Sequence, residues 1–160
     1  HNGSLPEAWL SMFRKNTTIE LMDFSSCNIE NLSYILGACE SNPALKVLII
    51  NENISKEGNQ DLPSFLSATS LSRLSIDGIG LSDSIACSIC ERLKTNTHLV
   101  FLSVRNINLT KHGLDKMATF LAENQVLKTL EIAGNKYDDK EGKEIFKTFM
   151  ERTLINEVIV

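Results

Sequence analysis

A chain of 160 residues, 42% hydrophobic and 22% charged, has ordinary globular composition and enough length to bury one core. Its net charge of −4 argues against a surface built for nucleic acid or an anionic membrane. Apolar runs stop at about four residues, which is too short for a transmembrane helix.

Taken in chain order, His1-Asn2-Gly3-Ser4 has the look of a purification-tag remnant and is set aside. Residues 5–160 are then expected to form one domain. A first helix is predicted over residues 5–15, carrying Trp9, Leu10 and Phe13 on its apolar stripe. No strand precedes it, so it reads as half a repeat capping the N-terminal end.

From residue 19 onward one phrase recurs. It reads Ile19-x-x-Met22-x-Phe24, Leu45-x-x-Leu48-x-Ile50 and Leu71-x-x-Leu74-x-Ile76. It continues as Leu99-x-x-Leu102-x-Val104, Leu127-x-x-Leu130-x-Ile132 and Ile155-x-x-Val158-x-Val160. Successive copies begin 26, 26, 28, 28 and 28 residues apart. Alternation with period two makes each copy a short half-buried strand. A fixed period of this size marks a solenoid of stacked supersecondary units.

Helical spacing follows each strand phrase. Ile85, Ile89 and Leu93 lie four apart, with Ala86 and Cys90 beside them; Leu114, Met117, Ala118 and Leu121 form the next stripe, and Ile145, Phe149 and Met150 the last. Ser82-Asp83, Thr110 and Asp138-Asp139 supply side-chain oxygens suited to helix starts. Asn16, Asn42, Asn96 and Asn124 each stand three residues before a strand phrase, where left-handed backbone or side-chain hydrogen bonding would turn the chain. Gly58, Gly113 and Gly142 share an early helical place and are expected to let neighbouring helices approach closely. An asparagine closes the strand phrase at Asn53 and Asn135 but is replaced by Cys27, Ile79 and Ile107; those repeats should be looser or filled with apolar groups. The chain stops on a strand, 155–160, with no atypical capping element, so a fragment of a longer protein is expected.

Chemistry-bearing residues are sparse. Cys27, Cys39, Cys87 and Cys90 lack the flanking clusters of a disulfide-stapled secreted repeat, and three of them occupy small or apolar repeat positions, so buried free thiols are expected. Cys87-x-x-Cys90 is half a zinc spacing without a second Cys or His pair, so no metal or cofactor is expected. Asn2, Asn16, Asn31, Asn53 and Asn108 begin glycosylation sequons that read as chance, because Asn16 falls at a buried-type position. Apart from His1, the histidines are His98 in a loop and His112 near a helix start; the repeat places no nucleophile beside either. Asp138-Asp139-Lys140-Glu141 reads as a charged helix start, and Asp77-Gly78-Ile79-Gly80 lacks the following Gly-Lys-Ser of a phosphate loop. No enzyme and no small-molecule substrate are expected, and a reduced, cytoplasmic setting is.

The residues between the strand leucines point to the opposite face. One row is Leu21, Val47, Arg73, Phe101, Thr129 and Glu157; the next is Asp23, Ile49, Ser75, Ser103, Glu131 and Ile159; a third is Ser25, Asn51, Asp77, Arg105 and Ala133. The core does not need Leu21, Val47, Ile49 and Phe101. With Asp23, Arg73, Arg105 and Glu131 around them, they have the composition of a protein-binding patch.

The strand–helix repeat resembles the ribonuclease-inhibitor-like class of leucine-rich repeats over residues 5–160. The resemblance implies an α/β leucine-rich-repeat solenoid, a right-handed βα superhelix with parallel strands on the concave face and helices on the convex face. It would comprise the helical half-repeat, about five βα repeats and a final strand. Within that class, Leu93-Lys94-Thr95-Asn96-Thr97-His98-Leu99-Val100-Phe101-Leu102 and 121–132 are similar to repeats of tropomodulin, leiomodin and the actin-regulating CARMIL proteins. This implies a non-catalytic interaction module with a protein partner, actin or an actin regulator. Two alternatives share the repeat: a sensing or regulatory segment of a NOD-like innate-immunity receptor, and a Ran-type GTPase activator. The latter would need Arg73 or Arg105 as its exposed arginine.

Overall fold

A computed structural model of the chain describes residues 7–53 and 58–160. The proposed tag residues 1–4, the Asn2 sequon and the expected helix start at Leu5 lie outside the described residues. The elements alternate strictly: α1 Glu7–Lys15, β1 Leu21–Asp23, α2 Ser33–Glu40, β2 Val47–Ile49, α3 Leu62–Ala68 and β3 Arg73–Ser75. They continue with α4 Asp83–Leu93, β4 Phe101–Ser103, α5 Lys111–Leu121, β5 Thr129–Glu131, α6 Asp139–Arg152 and β6 Glu157–Ile159. All six strand phrases become strands, paired in parallel in the order β1-β2-β3-β4-β5-β6. The register follows the repeat: Met22, Leu48, Leu74, Leu102, Leu130 and Val158 lie directly opposite one another.

Each strand is three residues long because the chain turns immediately afterwards, but the ladder runs on into the turn. Phe24 N–H donates to the Ile49 carbonyl and Ser26 N–H to that of Asn51; Val104 and Asn106 do the same to Glu131 and Ala133. Strands sit about 4.8 Å apart while helices are about 10 Å wide, so a strand layer backed by helices must curve with the strands inside. The strand face is therefore concave and the helix face convex. Between the layers, Leu48, Leu74, Leu102 and Leu130 are fully buried against Leu62, Leu93, Leu114 and Leu121 in one continuous core. Among the described residues, no helix is long and apolar enough to cross a membrane.

The predicted caps form. Ser82, Thr110 and Asp138 accept from Ile85, Gly113 and Glu141 N–H, and Asp138 with Glu141 completes a reciprocal capping box. The asparagines before the strands act through their side chains alone. Asn16, Asn42, Asn96 and Asn124 each accept from the N–H groups two and three residues on. Asn42, Asn96 and Asn124 also donate to the Phe13, Leu66 and Leu93 carbonyls of the preceding repeat. The left-handed backbone expected there falls instead in the turn after each strand, at Ser26, Glu52, Gly78, Asn106 and Gly134. At Gly134 that conformation coincides with a close approach, since a Cβ would meet Asn106 Oδ1. Gly113 fulfils its predicted role between helices, with Asp83 filling the space a Cβ would need, whereas Gly142 faces Tyr137 of its own repeat.

Four expectations about burial change. Cys27, expected as a buried thiol, is exposed, while Cys39 and Cys90 are buried. Trp9 is 55% exposed, while Leu10 is buried and Phe13 packs against the core; Met150 is also exposed, leaving Ile145 and Phe149 as the α6 stripe. The sequon closed most tightly is Asn53 rather than the half-buried Asn16. Asn53 Oδ1 accepts from Cys27 and Ile29 N–H, and its Nδ2 donates to the Phe24 and Ile50 carbonyls. Asn135 repeats the pattern with Ile107, Leu109, Val104 and Ile132. At two of the three places where asparagine is missing, Ile79 and Ile107 are buried and fill the turn with apolar groups; the exposed Cys27 does not.

Replacing Asn53 by Ala strands two N–H groups and two carbonyls, and should cost about 3 kcal/mol in urea unfolding, against about 1 kcal/mol for the half-exposed Asn16→Ala. Burial pushes the Cys39 thiol up to about 12 and raises that of Cys90 as well. A thiol pKa raised by folding contributes stability that is complete below the unfolded value near 9 and is lost as pH rises towards 12. Stability should therefore fall above about pH 9, by at most about 1.4 kcal/mol per unit per thiol, and Cys39→Ala should flatten that slope.

Candidate protein-interaction face

The register brings the eight predicted residues onto one face. Leu21, Val47, Arg73 and Phe101 lie opposite one another on β1 to β4, and Asp23, Ile49 and Glu131 share the adjacent row on β1, β2 and β5. Arg105 stands just beyond β4. Leu21 is 56% exposed and Val47, Ile49 and Phe101 are half-buried, which is the exposure of surface residues on a sheet.

The patch has a finer division than composition suggests. Leu21, Val47 and Ile49 form an apolar strip on β1 and β2. Phe101 is cut off from it by Arg73, whose guanidinium lies over the Phe101 ring at 4.0 Å from its centre. This cation–π contact covers part of the ring and fixes the arginine in place. Among the described residues, no carboxylate forms an ion pair with Arg73.

On β3 to β5 the face is a hydrogen-bonded network. Asn51 Oδ1 accepts from Ser75 Oγ and Asp77 N–H, both at 2.8 Å. One repeat on, Asp77 Oδ1 accepts from Ser103 Oγ at 2.6 Å and Arg105 N–H at 2.8 Å. Ser103 Oγ also lies 3.1 Å from Glu131 Oε2. A hydroxyl carries one proton, so the shorter contact to Asp77 takes it. Arg105 Nε lies 3.1 Å from Glu131 Oε2 but has no directed hydrogen bond, so the pair is held by charge rather than by N–H geometry. Asp23 is tied to its own turn: bonds from Ser25 Oγ and N–H hold its carboxyl below the usual carboxylate value. Asp23, Arg105 and Glu131 are thus internally engaged, and Arg73 is the cation presented outward.

Sequence reading did not find this network, although Asn51 and Asp77 in one row and Ser75 and Ser103 in another were its visible signal. On the helix side, a cleft of about 550 Å3 between α4 and α5 is lined by Cys87, Lys116 and Phe120 among others. Burial pushes the Cys87 thiol up, away from the thiolate a nucleophile requires. His98 and His112 are exposed and far from one another in the chain. Among the described residues, no group of three or more His, Cys, Asp or Glu is placed to hold a metal ion.

No family model and no curated protein matches the chain in sequence. Solved structures do match in shape. A Caenorhabditis elegans tropomodulin C-terminal domain superposes with a TM-score of 0.69 at 10% identity, covering 91% of this chain and 92% of that one. Leiomodin-1 actin-binding site 2 superposes with a TM-score of 0.57 at 16% identity, covering 98% of this chain and 79% of that one. The fold is a leucine-rich-repeat solenoid. At such identities the likeness is one of architecture, and the side chains on the strand face have to be read on their own chemistry.

The Arg73–Phe101 stack should appear as coupling in a double-mutant cycle. Arg73→Ala and Phe101→Ala combined should be less destabilising than the sum of the singles, by about 0.5–1 kcal/mol in urea unfolding.

Proposed function

We propose that this chain is a non-catalytic protein-binding module that works through its concave strand face, with actin or an actin regulator as its partner. The observation that carries the reading is the exposed strip Leu21–Val47–Ile49 next to the outward Arg73–Phe101 stack. A solvent-facing sheet gains nothing for its own core from these side chains, and an aromatic–arginine anchor beside aliphatic residues is typical of interface centres. The actin-related part rests on the resemblance of the strand–helix joins and on the likeness in fold to an actin-binding site of leiomodin-1. A cytoplasmic site of action accompanies this reading; Cys27, Cys39, Cys87 and Cys90 are free thiols, which suits a reducing compartment.

The face is also rigid enough to bind without reorganising. The Asn51–Ser75 and Asp77–Ser103 bonds join neighbouring repeats at the surface, and the buried leucines fix them from below. Preorganisation of this kind lowers the entropic cost of association.

Titrating purified monomeric actin with the wild-type chain and with Val47→Asp/Phe101→Ala, by calorimetry, tests the proposal. The wild-type should bind, and the variant, folded by circular dichroism, should weaken by at least about tenfold, since burying a charge where an apolar contact stood costs more than about 1.4 kcal/mol. Equal affinities would remove the concave face from consideration, and no binding by the wild-type would remove actin.

A further inference from the structure

We infer that the partner presents an amphipathic α-helix to the concave face, with two apolar residues on successive turns and an acidic residue on the third, laid across β1, β2 and β3. This inference rests on the reading of the strand face as a protein-binding site.

Geometry selects the helix. The rows of the face run across the strands, so neighbouring side chains in a row, such as Leu21, Val47 and Arg73, are about 4.8 Å apart. A helix offers one residue per turn on a given stripe, every 5.4 Å or so, and an inclination of about 27° to the row makes the two repeats coincide. An extended segment offers same-side residues only about every 6.6 Å and would have to incline by about 43°. Over three contacts it drifts about 9 Å sideways, beyond the roughly 6.6 Å between the ends of a three-residue strand, where the helix drifts about 5 Å. An α-helix also satisfies its own backbone hydrogen bonds. The face itself offers an extended segment no free ladder, because the β2 and β3 N–H and carbonyl groups are paired with both neighbours in the plane of the sheet.

Charge selects the third position and the order. Exposed Glu20, just before β1, and Asp23 stand at the β1 end of the face; exposed Lys46, just before β2, and Arg73 on β3 follow. Arg73 is held over Phe101 at 4.0 Å and has no carboxylate partner among the described residues. Arg105, by contrast, is already neutralised by Glu131. Asp77, the acidic group on Arg73's own chain segment, is four residues further along, about 13 Å in extended backbone, and its Oδ1 is occupied by Ser103 and Arg105 N–H. A carboxylate arriving over β3 thus meets one guanidinium, fixed in position and facing solvent, which is the arrangement that favours a bidentate pair. Over β1 the same carboxylate would meet Glu20 and Asp23. The order read from the β1 end is therefore apolar, apolar, acidic, against Leu21, then Val47 and Ile49, then Arg73.

The test uses fluorescein-labelled, alanine-based helical peptides of about 18 residues, solubilised with glutamine, carrying Leu at i and i+4 and Glu at i+7. The set includes the reversed order, a peptide with Lys in place of Glu, and one with Ala there. Fluorescence anisotropy at low salt compares the wild-type chain with Arg73→Glu and Val47→Asp. The wild-type should bind the Glu peptides about tenfold more tightly than the Lys peptides. Arg73→Glu should invert that preference, and Val47→Asp should weaken all of them. Equal binding of Glu and Lys peptides, still abolished by Val47→Asp, would overturn the acidic-helix partner while leaving the face as a binding site. Binding unaffected by Val47→Asp would overturn the face itself. If no peptide binds while monomeric actin does, the helical partner is overturned and the protein-binding reading stands.

Discussion

Two repeats of unequal width share one chain in this molecule, and most of its form follows from joining them. Strands want about 4.8 Å and helices about 10 Å, so every added repeat bends the stack towards the strands. Bending would leave the tight turns after each strand with backbone groups facing a dry interior. The buried side chains of Asn53 and Asn135 answer that need, each reaching from its own turn to two N–H groups and a carbonyl of the repeat before it. Asn42, Asn96 and Asn124 do the corresponding work at the helix ends. Where the closing asparagine gives way to Ile79 and Ile107, apolar packing takes over, because a turn filled by a branched side chain also excludes water. Repeats so joined move as one body, and the strand face inherits their rigidity.

That face carries two kinds of surface side by side. The β1–β2 part is aliphatic at Leu21, Val47 and Ile49, with Asp23 tied to its own turn; the β3–β5 part is polar and nearly saturated by its own hydrogen bonds. Arg73 sits on the border, stacked on Phe101 and open to solvent. The polar part holds neighbouring repeats in register through Asn51, Ser75, Asp77 and Ser103, and under the proposed function recognition falls to the residues around the border. The likeness to tropomodulin and leiomodin domains is one of fold, and the residues on the strand face belong to this chain.

The strands were legible in sequence because six copies of one phrase, each with the same alternation, leave the register no freedom. Helix starts at Ser82, Thr110 and Asp138 were legible for a local reason, since a cap acts within three residues. The surprises come from contacts that span a whole repeat. Asn51 with Ser75, and Asp77 with Ser103, are 24 and 26 residues apart, and nothing in either local segment announces the pairing. Trp9 and Met150 look like core residues in a helical stripe, yet α1 and α6 bury a narrower arc than the helices between them. The left-handed residues were expected at the asparagines before the strands. They sit after the strands, at Asn106 and glycine in keeping with residue preference and at Ser26 and Glu52 because the turn geometry overrides it. The face as a whole was visible from period-two spacing; the stacking of Arg73 on Phe101 depends on side-chain direction, which spacing does not encode.

Methyl NMR can show whether a protein docks on the concave face. With the leucine, isoleucine and valine methyl groups labelled, the chain is titrated with monomeric actin. Leu21, Val47 and Ile49 should shift or broaden first while the helix-side Ile85 and the N-terminal Leu10 stay in place. Perturbation centred on Ile85 and its neighbours, with the strand-face methyl groups unmoved, would contradict docking on that face.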